Sequence, residues 1–513
     1  MPIHDRYTYA FIGPFCIGPP PSLMPADTRL EPLSRDGDAG LAQQLAGRYA
    51  ERIRQRLLGP GARLPSVREC ARRHAISTHT VVAAYDQLLA LGLVEARRQR
   101  GFFVRESASA AAPARRAKAG AAASRPPLLV DATTLVRGMF QPPGALPMPS
   151  SGTLPVEWLD VPMLASALRR IGQGSGLAET ALRYGEPAGE PRLREALAQR
   201  LAEHAIPAGA QQIVTTLGAI HALDIATRTL ARPGDSVLVD EPGWSIEYAR
   251  LAALGLRVLP VPRGPDGVDL EVMERLIEAH RPRLYVTVSV LHNPTGASLG
   301  LAAAHRLLRI AQAHDLTIVE DDTYAHLAPP HLPRLAALDG LERTVYIGGF
   351  SKILAPGWRV GFMAVAPGLV DRMIDTKLLT SLTTPGLTER AIALCLESGQ
   401  LRLHAGRVLD KLDAARARTV RLALAHGCRF EAEPRGLFGW VDVGVDTQRL
   451  ARNMLERGWL IAPGALFHAV PRPTRLMRIN FASTQNPRFW KALVRERDGM
   501  VTNARATEAP DLA

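Results

Sequence analysis

Side chains able to do chemistry follow several apolar runs of the chain, at the points where buried strands would end. These runs are rich in β-branched residues and span 237–240, 284–290, 317–322 and 344–349. The amide, carboxylate, phenol and amine groups at or just after their ends belong to Asn293, Asp321, Asp322, Tyr324 and Lys352. Because sheets of parallel strands place ligands beyond the carboxyl ends of the strands, we expect the binding residues among the polar side chains that follow these runs.

Lys352 stands out because lysine is rare in this chain. The five lysines, among 62 basic residues, are Lys118, Lys352, Lys377, Lys411 and Lys491. A lysine amine can bond covalently to an aldehyde, which an arginine guanidinium does not do. The use of lysine rather than arginine within SKILAPGWR (351–359) therefore indicates that its amine has a function, and that it is not simply another surface charge.

The apolar runs alternate with helical segments rich in Ala, Leu and Arg after residue 128. Near-continuous β-branched runs separated by helices predict a mostly parallel sheet with helices on both faces, which is an α/β fold.

A different organisation precedes residue 105. An apolar side chain recurs every four residues along the first predicted helix, at Leu41, Leu45, Tyr49, Ile53 and Leu57. Two more helices are expected after Ser66 and Ser77, whose hydroxyls can cap them, and a hairpin is expected over 93–104. Helix, turn, helix and basic hairpin is the layout that sets a recognition helix in the major groove.

The positive charge of the chain is concentrated at this same end. The formal net charge is +13, and residues 1–125 hold 19 basic and 10 acidic residues, a net charge of +9. An excess confined to one end indicates a polyanionic partner such as double-stranded DNA.

Composition divides the chain into five parts. We expect an irregular tail over 1–35, a DNA-binding domain over 36–104, a linker over 105–127, the α/β domain over 128–500 and a second tail over 501–513. The linker is rich in Ala, Ser, Pro and Arg and has no apolar periodicity.

Several classes of protein are excluded by the same sequence. No run approaches the roughly 18 apolar residues of a membrane span. The apolar stretch 10–18 contains Pro14 and has no evident cleavage site, so it does not fit an export signal. The four cysteines lie far apart, without the spacing of a metal site or of a disulfide-rich secreted domain. We therefore expect a cytoplasmic protein without a metal site.

Residues 41–104 resemble the GntR winged-helix family, through GARLPSVRECARRHAISTHTVVAAYDQLLALGLVEARRQRGFFV at 61–104. The resemblance implies that Arg68, at the start of the second helix, contacts DNA. It also implies contacts from the opening of the recognition helix and from the wing tip, at Ser77, Thr78, His79, Thr80, Arg98, Arg100 and Gly101. Relatives often differ at Thr78 and His79, so no base preference is carried over.

Residues 130–500 resemble the class I/II aminotransferases of fold type I through six motifs in order. These are RYGEPAGEPRLREAL (183–197), EPGW (241–244), HNPTG (292–296), EDDTY (320–324), GFSKILAPGWRVGF (349–362) and MRINFA (477–482). The resemblance implies a fold-type I domain with a smaller C-terminal subdomain, a homodimer and pyridoxal 5′-phosphate as the cofactor.

The resemblance also gives roles to single residues. Lys352 matches the lysine that anchors the cofactor aldehyde, and Asp321 matches the carboxylate that pairs with the pyridine nitrogen. Asp322 is the neighbour that could be confused with Asp321.

Other matches concern the ring of the cofactor and the substrate. Asn293 and Tyr324 match the two groups that hydrogen-bond the phenolic oxygen, and Trp244 matches the aromatic side chain that stacks on the ring. Arg478 matches the residue that binds the α-carboxylate of an amino acid, which implies a ligand bearing a carboxylate or another anion.

The phosphate of the cofactor is expected to be bound by five residues. Arg359 matches the guanidinium that binds it, Ser351 assists, and the backbone amides of Ala219 and Ile220 open a helix toward it. Tyr184 resembles the residue that reaches the phosphate from the neighbouring subunit.

Two departures concern the same phosphate. Relatives usually have Ser or Thr where this chain has Gly349, and they often have a hydroxyl or amide side chain where Ala219 and Ile220 stand. Phosphate binding is therefore expected to depend more on backbone amides and on Arg359, with a lower cofactor affinity than in the enzymes.

A GntR-type domain fused to an aminotransferase-like domain defines the MocR regulators, which this chain resembles as a whole. The resemblance implies a transcription regulator that senses an amine or an amino acid. Two alternatives stay open: a working aminotransferase with an accessory DNA-binding domain, and a DNA-binding protein with a cofactor-free dimerisation domain.

Overall fold

The computed structural model describes residues 33, 40–54, 58, 61–97, 100–105, 147–173 and 175–508, with side chains described as far as residue 502. Apart from residues 33 and 105, the expected tail over 1–35 and the expected linker over 105–127 lie outside these residues. The same holds for Arg98, one of the expected wing contacts.

The N-terminal part consists of three helices and a hairpin, in the predicted order. Its elements are α1 (Leu41–Arg54), α2 (Val67–His74), α3 (Thr78–Ala90), β1 (Val94–Arg97) and β2 (Gly101–Val104). Both expected caps form, because Ser66 Oγ accepts from the amide of Glu69 at 3.3 Å and Ser77 Oγ accepts from the amide of Thr80 at 3.0 Å. The helices and the hairpin enclose an apolar core of their own, in which Tyr85 is fully buried.

The longer C-terminal part alternates helices with strands. Its helices are α4 (Val161–Ile171), α5 (Gly176–Ala181), α6 (Pro191–Ala202), α7 (Ala219–Leu230), α8 (Ser245–Ala253), α9 (Leu270–His280), α10 (Leu301–Ala313), α11 (Leu335–Asp339), α12 (Val370–Ser381), α13 (Gly386–Glu397), α14 (Gln400–Ala425), α15 (Thr447–Glu456) and α16 (Pro487–Glu508). Its strands are β3 (Ile213–Thr216), β4 (Ser236–Glu241), β5 (Arg257–Gly264), β6 (Gly267–Val268), β7 (Leu284–Thr287), β8 (Thr317–Asp321), β9 (Thr344–Gly349), β10 (Gly361–Ala364), β11 (Arg429–Phe430), β12 (Phe438–Asp442), β13 (Ala462–Pro463) and β14 (Leu476–Asn480). Helix α16 runs past the tail boundary predicted at residue 500. In the described ranges, no helix has the length and apolar character needed to cross a membrane.

Eight strands form the large sheet, in the order β3-β10-β9-β8-β7-β4-β5-β6. Strands β9, β8, β7, β4 and β5 are parallel, whereas β10 is antiparallel to β3 and β9, and β6 is antiparallel to β5. Both faces are covered: Val237 and Val239 of β4 pack into one apolar cluster, and Leu238 between them packs into another. The predicted parallel sheet with helices on both faces is confirmed.

One strand is shorter than predicted. The apolar run 284–290 predicts a strand of that length, but β7 ends at Thr287. The hydroxyl of Thr287 donates to Asp240 Oδ2 at 2.8 Å, and the amide of Val288 lies 3.4 Å from the same oxygen. The buried Asp240 carboxylate therefore takes the backbone amide of Val288 from the strand ladder, and the chain turns toward Asn293.

Four short strands form the smaller C-terminal subdomain, in the order β11-β12-β14-β13 with antiparallel pairing throughout. Its core includes the fully buried Phe489 and Trp490 of α16. Arg478 lies in the middle of β14, opposite Trp440 on β12 and Ala462 on β13.

Candidate cofactor site and nucleic-acid interface

Lys352 lies in the turn that follows β9, at the carboxyl edge of the sheet. Its Nζ atom donates to the carbonyl oxygen of Gly152 at 2.8 Å. Burial, together with the charge of Arg478, lowers the pKa of Lys352 to about 8, and the carboxylate of Asp321 opposes both effects. With a pKa near 8, about one-tenth of the amine is neutral at pH 7, and only the neutral amine attacks a carbonyl carbon.

Asp321 and Asp322 are neighbours in sequence but have different surroundings. Asp321 ends β8, and its Oδ1 accepts from both the amide and the hydroxyl of Thr323. Burial raises the pKa of Asp321 to about 6. Asp322 is buried, and its Oδ2 accepts from Arg334 Nε at 3.0 Å and from the hydroxyl of Tyr346 at 2.9 Å. Asp322 is therefore engaged in a buried ion pair of the fold, whereas Asp321 affects the pKa of Lys352.

Arg478 is buried beside two aromatic rings. Its guanidinium carbon lies 4.5 Å from the ring centre of Phe438 and 5.1 Å from that of Phe467. Nη1 donates to Asn293 Oδ1 and Nη2 to the carbonyl oxygen of Ser150, each at 2.8 Å. Nε has no hydrogen-bond partner among the described residues. Burial lowers the pKa of Arg478 to about 10, so at pH 7 it remains a cation with a donor to spare.

Asn293 and Tyr324 both lie close to Arg478. The ring of Tyr324 packs edge-on against Phe438, with 5.5 Å between ring centres. Burial raises the pKa of Tyr324, while Arg478 and a hydrogen bond with Asn293 oppose that shift. Both side chains are neutral at pH 7 and can donate a hydrogen bond to a ligand oxygen.

A second group of predicted residues surrounds the start of α7. Arg359 Nη2 donates to the carbonyl oxygen of Leu217 at 2.9 Å, and Nη1 donates to Ser351 Oγ at 3.3 Å. Ala219 and Ile220 are the first residues of α7, which has no side-chain cap. First-turn amides of a helix lack intrahelical acceptors, so these two amides and Arg359 present donors together.

Gly218 is required where this loop approaches Arg359. Its φ is 82°, a conformation that favours glycine. A Cβ atom at this position would lie 2.7 Å from Arg359 Nη2, and one at Gly361 would lie 2.6 Å from the backbone of Gly218. Two glycines therefore allow the guanidinium and the helix start to lie close together.

The two remaining cofactor candidates are placed differently. Trp244 is half-buried and immediately precedes α8, after the end of β4. Tyr184 is 83% exposed on the single chain and borders an open cleft between the segments 180–185 and 383–387. The single chain thus leaves Tyr184 at its surface.

These groups fit pyridoxal phosphate. The buried amine of Lys352 suits the aldehyde of the cofactor, and the carboxylate of Asp321 suits its pyridine nitrogen. The unpartnered donor of Arg478 suits the carboxylate of an amino acid. The narrow cradle at Gly218, beside Arg359 and uncapped amides, suits a phosphate.

The predicted DNA contacts that fall within the described residues lie at the surface. Arg68 is the second residue of α2 and is exposed, as are Thr78 and His79 in the first turn of α3. The hydroxyl of Ser77 caps α3 and also pairs with Thr80 Oγ1 at 2.8 Å. Ser77 and Thr80 therefore shape the helix start, and Thr78 and His79 project from it.

A residue that no motif marked, Arg63, lies beside the wing turn. Gly101 adopts a φ of 98°, and Arg100 beside it is exposed. Arg63 pairs with Phe103 of β2, and its Nε would lie 3.5 Å from a Cβ atom at Gly101. Arg63 is exposed and adds a positive charge to the wing. In the sequence, Arg63 can be recognised as the basic residue directly before the LPS motif at 64–66.

Other missed residues line the cofactor site. Ser150 and Gly152 act through backbone carbonyl groups, and Phe438 and Phe467 through ring faces. Any residue type offers a carbonyl oxygen, and a buried aromatic most often belongs to a core, so no motif marked them.

Comparisons with known proteins agree with this arrangement. The profile of the family described as aminotransferase class I and II matches residues 150–494, and that described as bacterial regulatory proteins, gntR family, matches residues 41–104. The chain is 28% identical over 464 residues to the uncharacterized HTH-type transcriptional regulator YjiR of Escherichia coli K12, a match that covers 88% of this chain and 97% of YjiR. It is 30% identical over 388 residues to the probable rhizopine catabolism regulatory protein MocR of Rhizobium meliloti, covering 73% of this chain and 76% of that protein.

A solved structure shows the same fold over most of the chain. The crystal structure of LysN, the α-aminoadipate aminotransferase of Thermus thermophilus complexed with N-(5′-phosphopyridoxyl)-L-leucine, aligns with a TM-score of 0.66 and 26% identity. The alignment covers 72% of this chain and 95% of LysN. The chain belongs to the class I and II aminotransferase family and, with the gntR-type domain at its N-terminal end, is a MocR-type regulator whose cofactor is pyridoxal phosphate.

Proposed function

We propose that this regulator binds duplex DNA through its winged helix as a homodimer and changes its DNA affinity when an amine or amino acid enters the cofactor site. The observation that carries the proposal is the joint placement of Lys352 and Arg478. One offers a buried amine of lowered pKa, and the other offers an unpartnered donor within the same site. A ligand with a primary amine and a carboxylate complements both groups.

The winged helix supplies the DNA-binding surface of the proposal. Arg68, Thr78, His79 and Arg100 are exposed, and a helix start in the major groove brings such side chains to base edges and phosphates. The net charge of +9 over residues 1–125 adds a salt-dependent attraction to DNA. We propose that the protein acts in the cytoplasm, because a regulator of this kind must reach its DNA target.

Each residue of the cofactor site would have one task. When bound, pyridoxal phosphate supplies an aldehyde carbon that can exchange one primary amine for another, on a ring that withdraws electrons. Lys352 would hold that carbon until an effector amine replaces it, and Asp321 would keep a proton on the pyridine nitrogen.

The other residues would orient the cofactor and the effector. Asn293 and Tyr324 would donate to the phenolic oxygen, and Trp244 would cover the ring. Arg478 would bind an effector carboxylate through a charge-assisted hydrogen bond. The phosphate would be bound by Arg359, Ser351, the amides of Ala219 and Ile220, and Tyr184 of a second copy of the chain.

Exposed apolar side chains support the homodimer. Leu182 is 79% exposed in the segment 180–185 that borders the cleft beside Tyr184, and Leu379 is 89% exposed near the end of α12, shortly before the segment 383–387. Large apolar side chains exposed to this degree gain free energy when another protein surface covers them. A second copy seated there would cover the leucines and bring Tyr184 toward the site of its partner.

A working aminotransferase is the second candidate function. It is favoured by one specific observation, because Lys352, Asp321 and Arg478 all retain the chemistry that transamination needs. Turnover of an amino acid with 2-oxoglutarate at roughly 1 per second or faster would be in the range of ordinary enzymes and would favour this candidate.

The test uses the purified full-length protein loaded with pyridoxal phosphate. A duplex that it binds is selected from a random-sequence library, and fluorescence anisotropy then measures affinity for that duplex with and without a panel of amines and amino acids. We expect one ligand class to change the affinity by about fivefold or more in the wild type. The Lys352→Ala variant should bind the duplex but not respond. A ligand that changes the visible spectrum and is turned over, but never changes DNA affinity, would contradict the regulator.

A further inference from the structure

We infer that His221 is a positioning residue for the cofactor phosphate, because its imidazole fixes the loop 217–220 against α12. The inference rests on the proposed cofactor site, and His221 is not among the residues that the sequence motifs assigned to that site. His221 is the third residue of α7 and follows Ala219 and Ile220 directly.

The hydrogen bonds of His221 define its tautomer. The amide of Leu217 donates to Nδ1 at 3.0 Å, so Nδ1 must carry a lone pair rather than a proton. Nε2 then carries the proton and donates to Thr380 Oγ1 at 3.1 Å. The hydroxyl of Thr380 donates in turn to the carbonyl oxygen of Thr376 at 3.0 Å, within α12. The neutral imidazole thus joins the loop to a neighbouring helix.

The same loop residue is held from its other side by the phosphate-binding arginine. The carbonyl oxygen of Leu217 accepts from Arg359 Nη2 at 2.9 Å, while its amide donates to His221. The carbonyl oxygen of the next residue, Gly218, accepts from Thr216 Oγ1 at 3.0 Å. Consecutive backbone groups are therefore fixed immediately before the amides of Ala219 and Ile220.

A fixed backbone matters more for phosphate binding in this chain than in a protein whose side chains also donate hydrogen bonds to the phosphate. Ala219 and Ile220 have no hydroxyl or amide side chain, and Gly349 has no side chain. A Cβ atom at Gly349 would make only ordinary contacts, at 3.6 Å or more, so space alone does not forbid a serine there. Backbone amides consequently supply a large part of the phosphate donors, and these amides bind well only if the loop is held in place.

The charges around His221 keep its imidazole neutral. Burial lowers the pKa of His221, and the positive charges of Lys377 on α12 and Arg359 lower it too, against Asp224 on α7. A neutral ring at pH 7 retains the lone pair that Leu217 needs. In many proteins a histidine in the first turn of a helix serves stability alone, so the test must separate stability from phosphate binding.

The experiment compares two probes that differ only in the phosphate group. The dissociation constants of apo protein for pyridoxal 5′-phosphate and for pyridoxal are measured by visible absorbance. The variants are His221→Leu, His221→Asn, Thr380→Val and the control His305→Leu, which alters an exposed histidine on α10. Asparagine keeps an acceptor where Nδ1 stood, and leucine does not.

His221→Leu is expected to weaken pyridoxal 5′-phosphate binding about fivefold, the usual value of one hydrogen bond, and to leave pyridoxal binding unchanged. His221→Asn should restore the affinity to within about twofold of the wild type. Hydrogen exchange at the Leu217 amide should be faster in His221→Leu and close to normal in His221→Asn.

Equal losses for both probes, or no loss for either, would overturn the inference. If His221→Leu does not fold, Thr380→Val decides: a phosphate-specific loss supports the positioning role, and its absence contradicts it. A wild-type protein that binds neither probe would instead contradict the proposed cofactor site.

Discussion

Arg52 of the winged helix and Glu456 of the aminotransferase-like domain form an ion pair in which Nη1 and Oε2 are 3.1 Å apart. The two side chains are only 10% and 12% exposed. The same carboxylate oxygen accepts from the hydroxyl of Tyr49 at 3.2 Å, and Arg52 Nη2 donates to the carbonyl oxygen of Leu455 at 3.3 Å. Glu456 is the last residue of α15, which packs on β13, and β13 pairs with Arg478 of β14. The contact thus joins the DNA-binding domain to the subdomain that carries the proposed effector residue.

Glu456→Gln should loosen this contact. The neutral amide leaves the buried Arg52 without a counter-ion and weakens the hydrogen bond of Tyr49, at an expected cost of about 2 kcal/mol in docking free energy. Hydrogen exchange of the α1 amides should become faster, while the core of the large sheet stays unchanged. The matched control is Glu496→Gln, because Glu496 pairs with Arg457 at 2.8 Å and makes no hydrogen bond or ion pair with the described residues of the winged helix. Equal exchange in α1 for both variants would show that Glu456 does not hold the domain.

The two adjacent aspartates should separate stability from cofactor binding. Asp322→Asn removes one partner of a buried ion pair with Arg334, whose side chains are 0% and 1% exposed, and should lower the free energy of unfolding by about 3 to 5 kcal/mol. Asp321→Asn should leave the free energy of unfolding of the apo protein nearly unchanged. It should weaken the binding of pyridoxal phosphate and shift the visible absorption band of the bound cofactor. Denaturant unfolding and absorbance titration measure the two effects. The reverse pattern would assign the pyridine nitrogen to Asp322.

Cofactor loading should follow the titration of Lys352. Burial and the charge of Arg478 lower the pKa of the amine to about 8, so the protonated form loses its proton at lower pH than in an ordinary lysine. The rate at which apo protein binds pyridoxal phosphate should rise about tenfold per pH unit below pH 8 and level off above it. Stopped-flow absorbance follows the rate, and Lys352→Ala gives the background. A rate that keeps rising up to pH 10 would mean that the amine has an ordinary pKa.

Much of this site could be predicted because the sequence shows where the buried strands end. Buried β-branched runs mark the strands, and parallel strands bring their carboxyl ends to one edge, so the sequence indicates where the polar residues of a site lie. The resemblance then gave Asp321 and Lys352 their roles. The structure brings them close enough for the carboxylate of Asp321 to raise the pKa of Lys352 against the effect of burial. The resemblance favoured Asp321 over Asp322, and the fold adds that Asp322 is paired with Arg334, a partner that no motif marked.

Contacts made by backbone groups left no trace in the sequence. The carbonyl oxygens of Ser150 and Gly152 bind Arg478 and Lys352, yet a carbonyl is common to all residue types. His221 was missed for a related reason, since its partner is the amide of Leu217. Tyr184 is exposed on one chain, so its proposed contact depends on a second copy rather than on the folding of its own.

Arg478→Met should reveal whether the effector carries a carboxylate. Methionine is of similar length and can stay between the rings of Phe438 and Phe467, but it has no charge and no donor. Loss of a charge-assisted hydrogen bond should weaken the response to an amino acid by about ten- to a hundredfold, while the response to the matching decarboxylated amine changes by less than about threefold. Titration of the visible band with such matched pairs measures both responses.

Arg475→Met is the control for Arg478→Met, because Arg475 lies one residue before β14 and its side chain is 62% exposed. It should respond to both ligands as the wild type does. If Arg478→Met weakens the responses to the amine and to the amino acid equally, Arg478 holds the site in shape through its hydrogen bonds to Ser150 and Asn293 and does not recognise a carboxylate. A selective loss for the amino acid would instead limit the natural effector to amines that bear an anionic group.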